Sequence, residues 1–444
     1  MNITHPFTKK PHRTLVGLSI PVLLSLTAEP ITALVDTAFI SSLGVVPLAA
    51  LGVGTTALSS LFWMFNFLGI GTQTEVAQHY GKGESEGTGK ILSLAVLLSA
   101  AFGILLILII GSSSNWVANL LGASGAVQEN AVRYMQIRLF GAPAVLITLA
   151  IFGALRGLQD MRTPLWIALG VNVLNLLLDW LLIFGNGPFP AMGVGGSALA
   201  STISQWLGAL GGLILVARKI GLTTKFNLQD AKNILQVGGD MFVRTGILNI
   251  FLAYTTRVAN NLGANTGAAH QVIRQVWVFT ALFLDAYAST VQSLVGFFIG
   301  KGSISWAKRV IRVATSWSIG TGIFLGLLMW IGREIVIQLL VPAASITVFL
   351  SAWLISSLSQ PINSISFLTD GALWGIGDFR YLRNAMLIAS GIGIICMWLL
   401  ENGSNPKLVW VWGLITIWNG LRALFGWIRI WPGIGKSVFR TQEI

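Results

Sequence analysis

Glu29 and Asp36 are the first residues in this 444-residue chain whose type and surroundings could do chemistry. Both lie inside an apolar stretch, residues 15–43, that is long enough to cross a bilayer, since about 20 residues at about 1.5 Å each span its core. An ionised acid at mid-membrane costs roughly 2.5–3.5 kcal/mol on insertion scales, so each acid should face an aqueous cavity or polar partners rather than lipid. Seven residues apart, they are expected on one helix face, about 10 Å from each other along the axis. Carboxyls so placed can take up and release protons. Pro21 and Pro30 each remove a backbone donor and free an upstream carbonyl, so this helix can bend. A bendable first helix that carries acids suits an ion-coupled transporter; the plainer alternative is an acid satisfied by a neighbouring helix.

A second polar stripe lies further on. Asn172, Asn175 and Asp179 recur at i, i+3 and i+7 within an apolar run, on one helical face. An Asn amide offers both acceptor and donors, so it can satisfy a neighbouring carboxyl in either protonation state. Ser197, Ser201 and Thr202 open the next apolar segment, although small hydroxyl residues also serve close helix packing. The second half carries different polar chemistry. Asp285 sits near the middle of its segment and is the acid there that faces function by the same rule. Tyr254, Gln271, Gln275, Tyr287 and Gln292 are candidates to hydrogen-bond a substrate, with packing as the competing role for each. Asp240 and Arg244 read as a local i,i+4 pair, Arg257 and Arg274 as side chains that snorkel to the interface, and His270 as a satisfied polar residue.

The elements that must hold these residues follow from composition. The chain is 54% hydrophobic and only 10% charged, with a mean hydropathy of +0.76, which excludes a set of soluble domains and reads as a multi-pass membrane protein. One cysteine, Cys396, and four scattered histidines give no disulfide framework and no metal-ligand spacing. No cleavable signal is read at the N-terminus, and the inner (plasma) membrane is the expected location. Hydrophobic segments give twelve helical spans, near 15–43, 47–77, 91–111, 134–155, 165–185 and 194–217, then 233–262, 267–299, 313–340, 348–374, 384–402 and 407–431. Of the lysines and arginines in the connecting segments, 21 fall on one side, from Lys9 to Arg440, against Arg133, Arg138, Arg333 and Lys407 on the other. By the positive-inside rule both termini are cytoplasmic. The net charge of +12 is therefore a topology signal, with anionic lipid headgroups as its partner and no nucleic acid implied.

The two halves repeat. A shift of 219 residues lays Gly81-Lys82-Gly83 on Gly300-Lys301-Gly302. A shift of 218 lays residues 154–162 on 372–380 with five of nine identical, and Pro143 on Pro361. Six spans return the chain to its starting side, so the halves are parallel repeats, which commonly enclose a central cavity. The expected division is a tail 1–14, an N-lobe 15–217, a linker 218–232, a C-lobe 233–432 and a tail 433–444. Under the shift Asp36 meets Thr255, Glu29 meets Leu248 and Asp179 meets Met397, so the acids of the first and fifth spans belong to the N-lobe alone.

Pro21, the Ala28-Glu29-Pro30 step, the run Leu34–Ile40, Leu48–Gly52, the loop 154–162 and the stretch 268–295 resemble the multidrug and toxic compound extrusion (MATE) family. The branch most similar is the DNA-damage-inducible F type, which includes plant organic-acid exporters. The resemblance implies a twelve-helix antiporter with two six-helix lobes forming a V. It implies ion coupling at Asp36 and Asp179, with Asn175 and Glu29 in the same network, a hydroxyl from Ser197 (or Ser201 or Thr202), and a bend at Pro21. No cofactor is implied beyond the coupling ion, a proton with sodium as the alternative. The expected protein is a monomer, not an enzyme, that exports small organic or drug-like molecules. Organic anions or a lipid-linked substrate are the alternatives.

Overall fold

The computed structural model describes residues 5–223 and 228–440, and these are helical almost throughout, with no strand among them. In chain order the helices are α1 (Pro6–Lys9), α2 (Pro11–Ser41), α3 (Val45–Met64), α4 (Phe67–Lys82), α5 (Ser85–Leu120), α6 (Gly125–Leu139), α7 (Ala142–Gly157), α8 (Arg162–Phe184) and α9 (Val194–Ile220). They continue with α10 (Leu228–Asn261), α11 (Ala264–Gly300), α12 (Ile304–Ile331), α13 (Arg333–Leu340), α14 (Ile346–Leu358), α15 (Gln360–Ile376), α16 (Phe379–Glu401) and α17 (Leu408–Ile430). Among the described residues nine spans are long and apolar enough to cross a membrane as they stand, and two more arise when bent helix pairs are each read as one. The one other long helix, α10, has 34 residues but is more polar, with Arg244, Asn249 and Arg257 inside it. Twelve spans are consistent with this architecture. The linker expected at 218–232 lies partly outside the described residues, as do Lys225, 1–4 and 441–444 of the tails.

The two bends have one cause. α6 meets α7 at 50°, and the pair of α14 and α15 is bent by 46°. Pro143 and Pro361 sit at the first or second position of α7 and α15, and neither has the N–H that would continue the preceding helix. At the first bend side chains of α9 hold carbonyls at the end of α6: Trp206 Nε1 donates to Phe140 O at 2.9 Å and Thr202 Oγ1 to Ile137 O at 3.2 Å.

The chain divides into two units, Ile20–Gly238 and Met1–Ser19 with Gly239–Ile444. Below they are the N-unit and the C-unit. The first residues of the chain therefore cluster with the C-unit: Phe7 is buried, the His5 ring lies 4.8 Å from that of Phe297, and Ser19 Oγ donates to Thr290 Oγ1 at 3.1 Å. The helix α2 passes from one unit's residues to the other's between Ser19 and Ile20, beside Pro21; α10 does so between Gly238 and Gly239, 219 residues on.

Each unit is locked by a backbone contact that only glycine allows. In the N-unit a Cβ at Gly153 of α7 would meet Gly69 O of α4 at 2.2 Å, and one at Gly157 would meet Gln73 O at 2.8 Å. In the C-unit Gly371 and Gly375 of α15 stand in the same relation to Ala288 O and Gln292 O of α11, at 2.3 and 2.8 Å. Small residues four apart let membrane helices touch backbone to backbone, where dispersion contacts do the work that lipid cannot.

Candidate functional site

The acids of the N-unit meet. Asp36 on α2 and Asp179 on α8 are both buried, and each carboxyl acts on the other. Two buried carboxyls that interact in this way relieve their repulsion when one of them holds a proton. Asn175, one turn before Asp179 and itself buried, completes the contact. Oriented by its surroundings, its amide donates to Asp36 Oδ1 at 3.3 Å and accepts from the Ser201 backbone N–H at 3.2 Å. One carboxylate oxygen, Asp179 Oδ1, is left with no partner.

Two residues that the sequence reading left out stand close by, both on α6. Tyr134 is buried and feels the charge of Arg138 and of both acids. Arg138 in turn acts electrostatically on Asp36. Their signal in the sequence was weak, since Arg138 counts there as an ordinary outer-side basic residue. The bend at Pro143 ends their helix and sets that turn inside the unit.

Other expectations are corrected. Glu29 is exposed and makes no hydrogen bond or ion pair among the described residues, so it does not join the pair formed by Asp36. Ser197 is fully buried, but its hydroxyl has no partner; Ser201, one turn on, is the residue beside Asn175. Thr202 donates to Ala198 O at 2.8 Å and tethers α9 to the end of α6, a packing role. Asn172 reaches Ala28 O at 2.8 Å, tying α8 to α2 immediately before Pro30. Pro21 lies within a continuous α2.

In the C-unit the polar candidates do not gather. Gln271 and Gln275 are exposed, Tyr287 accepts from Thr321 Oγ1 at 3.2 Å, and Gln292 is buried where α11 meets α15. Tyr254 donates to Glu401 Oε2 at 2.9 Å near the end of α16, joined there by Asn261. His270 is buried against Thr256 and Trp412; its Nε2 meets Thr256 Oγ1 at 3.3 Å but Nδ1 has no partner, so the fully satisfied role expected of it is only half met. The local pair of Asp240 with Arg244 does not form. Asp240 takes Arg383 instead, and Arg244 takes Asp370, an acid that the sequence reading passed over. Asp285 is half-buried and acts electrostatically on Arg244. No group of three or more His, Cys, Asp or Glu able to hold a metal ion occurs among the described residues.

Comparison with known proteins places the chain in a family. The chain is 29% identical to DETOXIFICATION 44, chloroplastic, of Arabidopsis thaliana, over 96% of this chain and 82% of that protein. It is also 29% identical to DNA damage-inducible protein F of Escherichia coli, over 94% and 92% of the two chains. A crystal structure of MATE in the bent conformation superposes with a TM-score of 0.87 at 21% identity, covering 94% of each chain, which shows a shared fold. The model of the MatE family matches residues 21–181 and 241–399, one stretch in each half. With both halves matched, this multi-pass membrane chain belongs to the MATE family of multidrug and toxic compound efflux transporters.

Proposed function

We propose that this chain is a secondary antiporter of the inner (plasma) membrane, with both termini cytoplasmic, that exports small organic solutes against an inward flow of protons through Asp36 and Asp179. The observation that carries the reading is the burial of the two carboxyls beside one another, an arrangement that favours a proton held by the pair. Loss of that proton would set two negative charges against each other in a buried place, with Asn175, Tyr134 and Arg138 as the groups on hand to receive them. Such a centre has two states of different charge, and coupling follows if those states favour different orientations of the transport cycle. Pro21 is the proposed articulation of α2, because its ring removes one backbone hydrogen bond beside the residue where the helix leaves one unit for the other. Sodium is the alternative ion, the chain is taken to act as a monomer, and no cofactor is called for.

Everted membrane vesicles test the reading. An imposed pH gradient should drive uptake of exported solutes and an imposed sodium gradient should not. Asp36→Asn and Asp179→Asn should each abolish gradient-driven uptake while the amount of folded protein in the membrane stays the same. Normal pumping by both variants removes the assignment, and drive by sodium alone replaces the proton.

A further inference from the structure

The N-unit carries a polar groove that the coupling pair does not use. A cavity of about 400 Å³ runs along α6, lined by Gln128, Glu129, Arg133 and Gln136, with Asn115 of α5 opposite them. Because α6 is the first half of a bent span, these side chains need a partner other than lipid tails. Glu129 and Arg133 stand at the i,i+4 spacing that commonly joins opposite charges on a helix. Yet neither side chain makes a hydrogen bond or an ion pair among the described residues. The guanidinium of Arg133 has a prepared place: a Cβ at Gly195, in the first turn of α9, would come within 3.1 Å of its Nε. The two ends of the groove differ. Gly125, at the start of α6, lines the end beside the α5–α6 turn, while past the other end the ring of Phe140 is 62% exposed. On α5, Trp116 next to Asn115 is 65% exposed, and Leu105, Leu108 and Ile109 are exposed further from the turn.

We propose that this groove seats the headgroup of a zwitterionic phospholipid with a primary ammonium, of the phosphatidylethanolamine type. The site goes beyond the antiport reading and does not depend on it. The order of groups along α6 carries the inference. Glu129, Arg133, Gln136 and Phe140 stand at i, i+4, i+7 and i+11, all exposed and on one helical face. From the turn inward the acid is followed by the base after about 6 Å, the amide after about 4.5 Å more, and the ring one further turn on. A phospholipid of this type presents its groups in the matching order: ammonium outermost, then phosphate, ester carbonyls and acyl chains. The ammonium donates to Glu129, and the planar fork of Arg133 donates to the phosphate, both charge-assisted bonds. The Gln136 amide donates to an ester carbonyl, and a chain lies on Phe140. Trp116 sets the depth, because indole rings favour the headgroup level of a bilayer. The match holds in either leaflet, since the turn between α5 and α6 lies at the water side of both. Phosphatidylglycerol has no cation to offer Glu129, and like charges brought together in an interface are strongly disfavoured. Phosphatidylcholine has a cation with no N–H to donate.

Native mass spectrometry of the purified full-length protein in detergent, titrated with one dioleoyl lipid at a time, reads the site. Phosphatidylethanolamine should bind about tenfold tighter than phosphatidylcholine or phosphatidylglycerol, the worth of one charge-assisted hydrogen bond. Glu129→Gln should weaken phosphatidylethanolamine and strengthen phosphatidylglycerol, so that the preference between them disappears. The sharper variant exchanges the charges, Glu129→Arg with Arg133→Glu. It keeps the net charge of the face and reverses the order of its groups, and should lower phosphatidylethanolamine binding about tenfold. A helix face that serves only as a solvated surface predicts the same binding in all three proteins. A melting midpoint equal to that of the unaltered protein shows that the exchanged variant is folded; if it does not fold, Glu129→Gln decides alone. The proposal is overturned if phosphatidylethanolamine binds no tighter than the other two lipids, or if the exchanged protein binds it as well as the unaltered one. Equally tight binding of water-soluble glycerophosphoethanolamine overturns the lipid assignment and makes the groove a site for a soluble zwitterion. No gradient enters these readouts, so a failure of proton coupling at Asp36 and Asp179 would leave the lipid site standing.

Discussion

In the N-unit Asp36 and Asp179 lean on each other and on neutral groups, whereas in the C-unit Asp370 is gripped by two arginines. Both centres are buried, and both sit on helices that the internal repeat relates. Yet shifted by 219 or 218 residues, Arg244 falls on Ser25, Asp370 on Phe152 and Arg422 on Ser204, just as Asp36 falls on Thr255 and Asp179 on Met397. The scaffold has been kept where geometry is strict, at the paired glycines and the paired prolines. The ionisable residues of the two buried centres have not been kept. A carboxyl pair with no ion-pair partner has a proton to exchange, whereas a carboxylate held by two guanidinium groups is held in its charged form. The difference assigns the titrating work to one unit and fixed charge to the other.

The widest gap between the units should appear in stability. Asp370→Asn leaves two buried arginines without their carboxylate, and removing one partner of a buried ion pair costs about 3–5 kcal/mol. Asp36→Asn leaves no charge stranded, since the amide can replace a protonated carboxyl as donor and acceptor, so its change should stay within about 1 kcal/mol. Thermal unfolding of the two purified variants, side by side in one detergent, measures the contrast. Equal losses would mean that the N-unit pair is as tightly charge-balanced as the C-unit cluster, and the division of labour would fall.

How far this contrast was legible in the sequence depended on whether a local rule or a distant contact decided the matter. Asp36 and Asp179 stood out because the penalty on a charge in an apolar run needs no knowledge of the fold. The same rule applied to Asp370, which lies in the span read at 348–374, and it was not used there. Glu29 misled because helical spacing fixes a shared face but not what packs against it along its length: Glu29 is exposed while Asp36, two turns on, is buried. The pairing of Asp240 with Arg244 misled because helical neighbours were weighed and distant ones were not. Their actual partners, Arg383 and Asp370, lie 143 and 126 residues away in the chain. Helix count and repeat were readable since both rest on patterns that lipid and duplication impose along the chain. The bends at Pro143 and Pro361 were visible only as proline positions, and it is the first of them that ends the turn carrying Tyr134 and Arg138.

The conserved scaffold invites the opposite test, one in which the units should respond alike. Gly153→Ala and Gly371→Ala each push a methyl group into a carbonyl oxygen of the facing helix, at 2.2 and 2.3 Å before relaxation. Overpacking of this kind costs typically about 1–3 kcal/mol, and the two losses should agree within about 1 kcal/mol. The yield of monodisperse protein and its melting midpoint would show it. A large loss in one unit with tolerance in the other would mean that the helix pairs α4–α7 and α11–α15 carry unequal shares of the packing.

The smallest effect separates two matched loop acids at the starts of α8 and α16. Asp160 caps α8, accepting from the Thr163 backbone N–H at 3.0 Å and its hydroxyl at 2.6 Å, and pairs with the half-exposed Lys219. Burial alone would lift its carboxyl, but the hydrogen bonds from Lys219 and Thr163 outweigh that and hold it below the ordinary 3.8. A carboxylate that is more acidic folded than unfolded contributes its full stability above the unfolded value, and loses it as pH falls through the folded value. Asp160→Ala should therefore cost about 1 kcal/mol at neutral pH, the usual worth of a cap, with the gap to the unaltered protein closing as pH falls below the unfolded value. Asp378, its repeat counterpart, pairs instead with Arg429 at 2.7 Å, and Arg429 is buried and also donates to Ile434 O. Asp378→Ala strands that buried cation and should cost more than Asp160→Ala at pH 7. Unfolding midpoints of the two variants across a pH series would rank them, and a larger loss for Asp160→Ala would show that helix capping outweighs burial of the partner charge in these loops.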